Sequence, residues 1–415
     1  MGPGGAAFAR ETAMRRSILF VDDEPELLAG LRRMLWDRRE AWDMRFAQGA
    51  AEALAMLERE PADVVVADAL MPGMDGPEFL ETVRARWPAT ARVILSGHSD
   101  RDFIYRSVKP AHQFLAKPLS PGELVAVIER LLRLAGLFPD PGLREVVSRI
   151  DVLPALPSVF TELTEELRSP NASVKTIGDI LVRDVGLAAG LLKLVNSAFF
   201  GLPRRVASVE QAVTLLGLET VRALVLAQGL FARIDAARFP GFGFSGLFDH
   251  SLGVARFARL LAGIEGLDKD GRDACFMAGL LHDIGKLLLA QALEGPYGEV
   301  LAMARARNVA MLTAEEAVLG ADHADVGGYL LGLWAFDEAV ATGVAGHHRP
   351  ARFPEARTAL FTHAANALEH ELVVVHPGYA PHEPDMAALA ALGFSGRIEV
   401  WREACRNLLQ GGNGE

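Results

Sequence analysis

The chain has 415 residues, half of them hydrophobic, with 53 acidic against 42 basic side chains and a formal net charge of -11. That length exceeds what one core organises and predicts two or three domains, while the acidic balance argues against a nucleic-acid or anionic-membrane surface, which needs clustered Lys and Arg. With only Cys275 and Cys405 present, neither a disulfide framework nor a cysteine zinc site is readable, and a reducing cytoplasm is the expected compartment.

Residues 1–16, MGPGGAAFARETAMRR, lack the apolar core of a signal peptide and read as a disordered lead-in. Other apolar runs are broken by charge, Gly or Pro before the roughly 18 to 20 residues a membrane span needs, so no membrane partner is expected.

From Ser17 to Ala135 short β-branched runs alternate with helical periodicity. Strands are predicted at 17–21, 44–47, 63–67, 92–96 and 112–116, each followed by an amphipathic segment. The third, DVVVA, is apolar throughout and so central. Five such units imply an α/β fold, a doubly wound five-stranded parallel sheet whose ligands sit beyond the carboxyl ends of the strands.

The polar residues fall at those ends. Asp22 and Asp23 follow the first strand, Asp68 the third, Ser96 closes the fourth and Lys117 follows the fifth. Three carboxylates on one rim repel one another unless a cation lies among them, and hard oxygen ligands suit Mg²⁺. With the ion present Asp68 can act as a nucleophile toward phosphorus. Lys117 would neutralise a phosphoryl oxygen and the Ser96 hydroxyl would donate to it. Pro118 allows a cis peptide that would aim the lysine.

Carried by FVDDEP, VVVADALMPGMDG, ILSGHSD and FLAKP, residues 17–135 resemble a response-regulator receiver domain. The resemblance implies Asp68 as phosphoacceptor, Asp23 and Asp68 as Mg²⁺ ligands supported by Asp22, and the Leu70 carbonyl as a further ligand. It makes Ser96 the switch hydroxyl, Phe114 the reorienting aromatic and Lys117 the phosphate partner. A sensor histidine kinase is the implied phosphate donor.

Residues 136–150 shift to Pro, Gly and charge and read as a linker. Beyond them the apolar spacing is three and four, predicting an all-α, multi-helix bundle at 151–370, then a helical extension with a flexible tail at 371–415. VEQAVTLLGLETVRALVL mimics a helix-turn-helix, but its second helix offers only Arg222 amid Leu, Val and Ala, which argues against DNA recognition.

Histidines mark the bundle. His282 and Asp283 stand together in LLHDIGK, read as neighbours on one helix, with Lys286 a turn on. His250 is expected at a helix start, His323 lies in GADHADVGG, and His347 and His348 lie in VAGHHRP. Imidazole and carboxylate suit Fe, Mn or Zn, and an adjacent His-Asp pair can hold one ion or bridge two.

LPALPSV, LVRDVGLAAGLLKLVNSAFFG, SVEQAVTLLGLETVRALVL and LLHDIGK, in that order, resemble an HDOD domain, a relative of the HD phosphohydrolases. The relatives commonly lose metal ligands and serve as signalling modules. This chain keeps His250, His282 and Asp283 and adds His323, His347 and His348, a set similar to that of HD-GYP phosphodiesterases. Two departures stand out: RPARFPEA follows the paired histidines in place of the Gly-Tyr-Pro stretch, and Asn366 stands where the HD pattern closes with Asp. The expected function is therefore a phosphorelay response regulator whose HDOD output binds a downstream protein or a second copy. The alternative is a metal-dependent phosphodiesterase or phosphohydrolase acting on a cyclic dinucleotide or nucleotide.

Overall fold

Val64–Asp68 is buried at every position, as a strand flanked by strands and covered on both faces must be. It is β3 of a parallel sheet of order β2-β1-β3-β4-β5, with β1 Arg16–Val21, β2 Trp42–Ala47, β4 Ala91–Ser96 and β5 Gln113–Ala116. The computed structural model describes residues 16–96, 111–118, 120–138, 173–182, 208–231, 244–334, 336–373 and 383–411, with isolated positions between them. Contacts divide the chain into two units that meet at residues 136/137.

In the first unit α1 (Pro25–Met34), α2 (Ala50–Arg59), α3 (Gly76–Arg86) and α4 (Pro121–Leu137) alternate with the strands. The order 2-1-3-4-5 is the flavodoxin-like winding, which opens a crevice where β1 and β3 lie side by side. One sheet face buries Leu19, Val21, Val65, Ala67 and Ile94 with Leu57 of α2 and Phe79, Leu80 and Val83 of α3. Register aligns Val21 with Ala67 and Asp68 with Leu95, so Asp22 and Asp68 leave the sheet at one edge.

The second unit is helical throughout its described residues. Its helices are α5 (Val174–Val182), α6 (Val209–Leu216), α7 (Leu218–Phe231), α8 (Phe244–Ile264), α9 (Lys269–Leu281), α10 (Ile284–Ala292) and α11 (Glu294–Arg307). They continue as α12 (Met311–Leu319), α13 (His323–Leu333), α14 (Glu338–Ala345), α15 (Arg357–Leu372), α16 (Met386–Ala391) and α17 (Arg397–Gly411). Helices α8, α9 and α15 pack on one another, and α13 packs on α10 and α14.

Glycines set these approaches. A Cβ on Gly279 would lie 2.7 Å from the Ala255 Cα, so α9 can press against α8 only with Gly there. A Cβ on Gly285 would lie 1.9 Å from the His323 carbonyl oxygen, which places the start of α13 directly on α10.

Two expectations need correction. His282 and Asp283 do not share a helix. His282 caps the end of α9, and Asp283, at φ -97° and ψ 8°, precedes α10. The break lets both side chains turn to one centre, where helical neighbours would diverge by about 100°. His250 likewise does not start its helix, since α8 begins at Phe244. Among the described residues no helix is long and apolar enough to cross a membrane.

Candidate functional site

At the edge of the sheet Lys117 reaches between two carboxylates. Its Nζ lies 3.2 Å from Asp22 Oδ2 and forms an ion pair with Asp68 Oδ1. The backbone holds both acids from the other side. Leu70 N–H donates to Asp68 Oδ2 at 3.1 Å and Glu24 N–H donates to Asp22 Oδ1 at 2.9 Å. Burial opposes the charge on Lys117, but the hydrogen bond and charge of Asp68, with Asp22 behind it, raise its pKa.

Asp23 follows Asp22 at the same edge and is half-buried. The Lys117–Pro118 peptide is cis. The start of α3 closes the edge from below. Asp75 caps it by accepting from Glu78 N–H at 3.0 Å, and a Cβ on Gly76 would lie 2.2 Å from the Asp68 carbonyl oxygen. Ser96 pairs with Ala116 and Phe114 with Ile94 in the β4–β5 ladder, while their side chains lie outside the described residues.

In the helical unit the six residues singled out from the sequence converge. Asp283 stands between two histidine groups. Its Oδ2 is 3.4 Å from His282 Nε2 and 4.0 Å from His250 Nε2, and its Oδ1 is 3.3 Å from His323 Nε2 and 3.8 Å from His347 Nε2. His250 and His282 face each other through their Nε2 atoms at 3.2 Å, and His323 and His348 at 3.0 Å. His250, His282, His323 and His347 are all buried, as is Asp283.

The far nitrogen of each of these four buried rings is tied down. His282 Nδ1–H donates to the Gly279 carbonyl at 2.8 Å and His347 Nδ1–H to the Val344 carbonyl at 2.6 Å. His323 Nδ1 pairs with Glu315 Oε2 at 2.5 Å, and His250 Nδ1 with Glu369 Oε2. Fixing Nδ1 in this way sets the ring's orientation and turns the Nε2 lone pair inward, the outer arrangement of metal-bound histidines.

Electrostatics agree with an electron-rich centre. Burial alone would raise the Asp283 pKa, yet His282 and Lys286 hold it well below the ordinary carboxylate range. Lys286 Nζ donates to Asp283 Oδ2 at 2.7 Å. Burial lowers His250 to about 4, and burial with neighbouring His282 and His323 puts His347 far below its usual value. His250 and His347 are therefore neutral acceptors, whereas at His323 the effect of burial is outweighed by the Glu315 charge, which raises its pKa to about 9. Among the described residues no hydrogen bond of good geometry reaches Asp283 Oδ1 or His347 Nε2, both buried. Buried acceptors left unpaired are costly, and a cation removes the cost. The two sets, His250–His282–Asp283 and His323–His347–His348, each bring their ligand atoms within 4.8 Å of one another, which fits a divalent metal.

Comparison with known proteins decides the family. Residues 18–129 match the response regulator receiver domain and residues 153–350 the HDOD domain. The chain joins a receiver to an HDOD domain. Over 126 residues it is 36% identical to the hydrogenase transcriptional regulatory protein HoxA of Cupriavidus necator, covering 30% of this chain and 26% of that protein. It is 30% identical to the response regulator GtcR of Aneurinibacillus migulanus over 31% of this chain and 52% of that one. The chain thus spans between a quarter and about half of the length of these relatives. A solved structure of a putative signal transduction protein from Marinobacter aquaeolei shares the fold at TM-score 0.50 and 19% identity, over 78% of this chain and 77% of that one.

Sequence reasoning missed Glu315 and Glu369 of the HDOD unit. Glu315 is 8 residues from His323 in the chain and Glu369 is 119 from His250. Glu315 lies between Ala314 and Glu316 and Glu369 between Leu368 and His370, settings that an exposed helical Glu shares.

Proposed function

We propose that the receiver is phosphorylated on Asp68 by a histidine kinase and that the HDOD domain is the output, acting through a downstream protein or a second copy of itself. The observation that supports the reading most is Lys117 bridging Asp68 and Asp22 at the carboxyl edge of the sheet. An oxygen of Asp68 attacks phosphorus as the bond to the kinase's histidine nitrogen breaks. Lys117 offers its ammonium to the phosphoryl oxygens and the Leu70 N–H keeps the other carboxylate oxygen in place.

Asp23, Asp68 and the Leu70 carbonyl, with Asp22 beside them, would hold Mg²⁺, whose charge lowers the cost of bringing a phosphate to this acidic rim. Ser96 and Phe114 would carry the change away from Asp68. Such a kinase meets its target in the cytoplasm, the compartment this reading assigns. Treating the full chain with acetyl phosphate and Mg²⁺ is expected to add one phosphoryl group by intact mass, and none to Asp68→Asn. An unmodified wild type, or a variant modified equally, overturns the proposal.

A second reading, a phosphohydrolase in the HDOD unit, is favoured by Asp283 standing between two histidine groups. His250, His282, Asp283, His323, His347 and His348 would hold Fe, Mn or Zn, which as a Lewis acid would activate water toward phosphorus. Lys286 would steady Asp283, and Asn366, neutral where a carboxylate would add charge, weakens the hold. Elemental analysis is expected to find a transition metal in the wild type and little in Asp283→Ala. Metal-free protein without hydrolysis of a cyclic dinucleotide in added Mn²⁺ or Fe²⁺ removes this reading and leaves a binding module.

A further inference from the structure

His363 lies one helical turn beyond Ala359 on the face of α15 that receives the turn after α14. A Cβ on Gly346 would lie 2.5 Å from the Ala359 Cβ, so this turn rests directly on α15. His347 follows Gly346 and has left the regular helix, its N–H reaching the Val344 carbonyl only at 3.4 Å. Its carbonyl is held from outside the turn. His363 Nδ1–H donates to the His347 oxygen at 2.9 Å.

The other nitrogen of His363 is engaged as well. Asp385 N–H donates to His363 Nε2 at 2.8 Å. An N–H can only donate and a carbonyl can only accept, so one neutral tautomer, protonated on Nδ1, satisfies both partners. His363 is completely buried, which removes water as a substitute for either bond.

Asp385 caps α16, accepting from Ala388 N–H at 2.9 Å. Helices α16 and α17 bury Leu389, Ile398, Trp401 and Cys405 against Val254, Phe257, Phe361 and Ala365 of α8 and α15. Glu265 Oε1 accepts from both Trp401 Nε1 at 2.8 Å and Arg397 Nε at 2.8 Å, fastening α17 to the end of α8. These helices lie beyond residue 350, where the HDOD match ends.

We infer that this C-terminal cap braces the histidine centre through His363, a positioning residue that holds the backbone of His347 and so aims its Nε2 at Asp283. The inference rests on the metal reading of the centre. Losing an outer partner of a metal-bound histidine costs about 10- to 100-fold in affinity, and the His347 carbonyl is joined to the ligand ring through only Cα and Cβ.

The test is titration of the apo full chain with Co²⁺, read by its visible absorption, beside a thermal melt for folding. Wild type is expected to bind with a defined Co²⁺ spectrum. His363→Gln, which keeps a donor and an acceptor, is expected to retain the spectrum. His363→Leu is expected to bind about 10-fold or more weakly with an altered spectrum at an unchanged fold. Should the Leu variant not fold, His363→Asn, too short to span both partners, replaces it with the same expected loss. Leu or Asn variants with wild-type affinity and spectrum overturn the brace alone. A wild type that gives no Co²⁺ spectrum overturns the metal reading and the brace with it.

Discussion

His112 directly precedes β5 beside Arg92, whose backbone N–H lies 3.2 Å from its Nδ1 and whose guanidinium lies 2.7 Å from its Nε2. Burial first, and the Arg92 charge second, hold its pKa well below the usual imidazole value. The folded receiver therefore binds this proton less readily than the unfolded chain, whose His titrates near about 6.5. Stability from this residue is present above about pH 6.5 and is lost as pH falls from there toward the folded pKa. Thermal melts between pH 7.5 and 5.5 are expected to show a smaller acid-side loss in His112→Gln than in wild type. Equal losses would show that His112 is not the group responsible. At this scale much was readable in advance: Asp22, Asp68 and Lys117 follow strands, so their convergence comes from topology alone. Glu315 and Glu369 were not, because a buried Glu in a helix has the same letter as a solvated one, and only the partner ring makes it different.

At the scale of elements, the junction of α9, α10 and α13 carries the helical site. The periodicity of ACFMAGLLHDIGKLLLAQ runs on through His282 and Asp283, and so reads as a single helix. The break is set by the packing of α13 onto Gly285, a contact about 40 residues away that local pattern does not encode. Gly285→Ala places a methyl 1.9 Å from the His323 carbonyl oxygen, against backbone that cannot rotate aside. It is expected to cost about 1–3 kcal/mol or more, read as a fall in the urea midpoint. Gly295→Ala in α11, where a Cβ meets nothing within 4 Å, is the matched control and is expected to gain about 0.5–1 kcal/mol. If both variants melt alike, the close approach at Gly285 is not what fixes the junction.

At the scale of the molecule, one chain carries two buried electrostatic centres built in opposite ways. The receiver gathers carboxylates at a sheet edge and answers them with Lys117; the HDOD unit gathers imidazoles around the single carboxylate of Asp283, which Lys286 also holds. The division into an α/β half and a helical half follows from the change of hydrophobic period after residue 137, which is why it could be read early. The extension after residue 371 read only as a helical cap, because nothing local ties Asp385 to His363 or Trp401 to Glu265.

That cap also orders events in time. The ribosome delivers His250 through His348 first, then Glu369, and Asp385 and Trp401 last. At about 5–20 residues per second, several seconds separate the last histidine of the centre from the tryptophan that locks the cap. The apolar faces of α8 and α15 and the His347 turn are thus synthesised before the helices that cover and brace them.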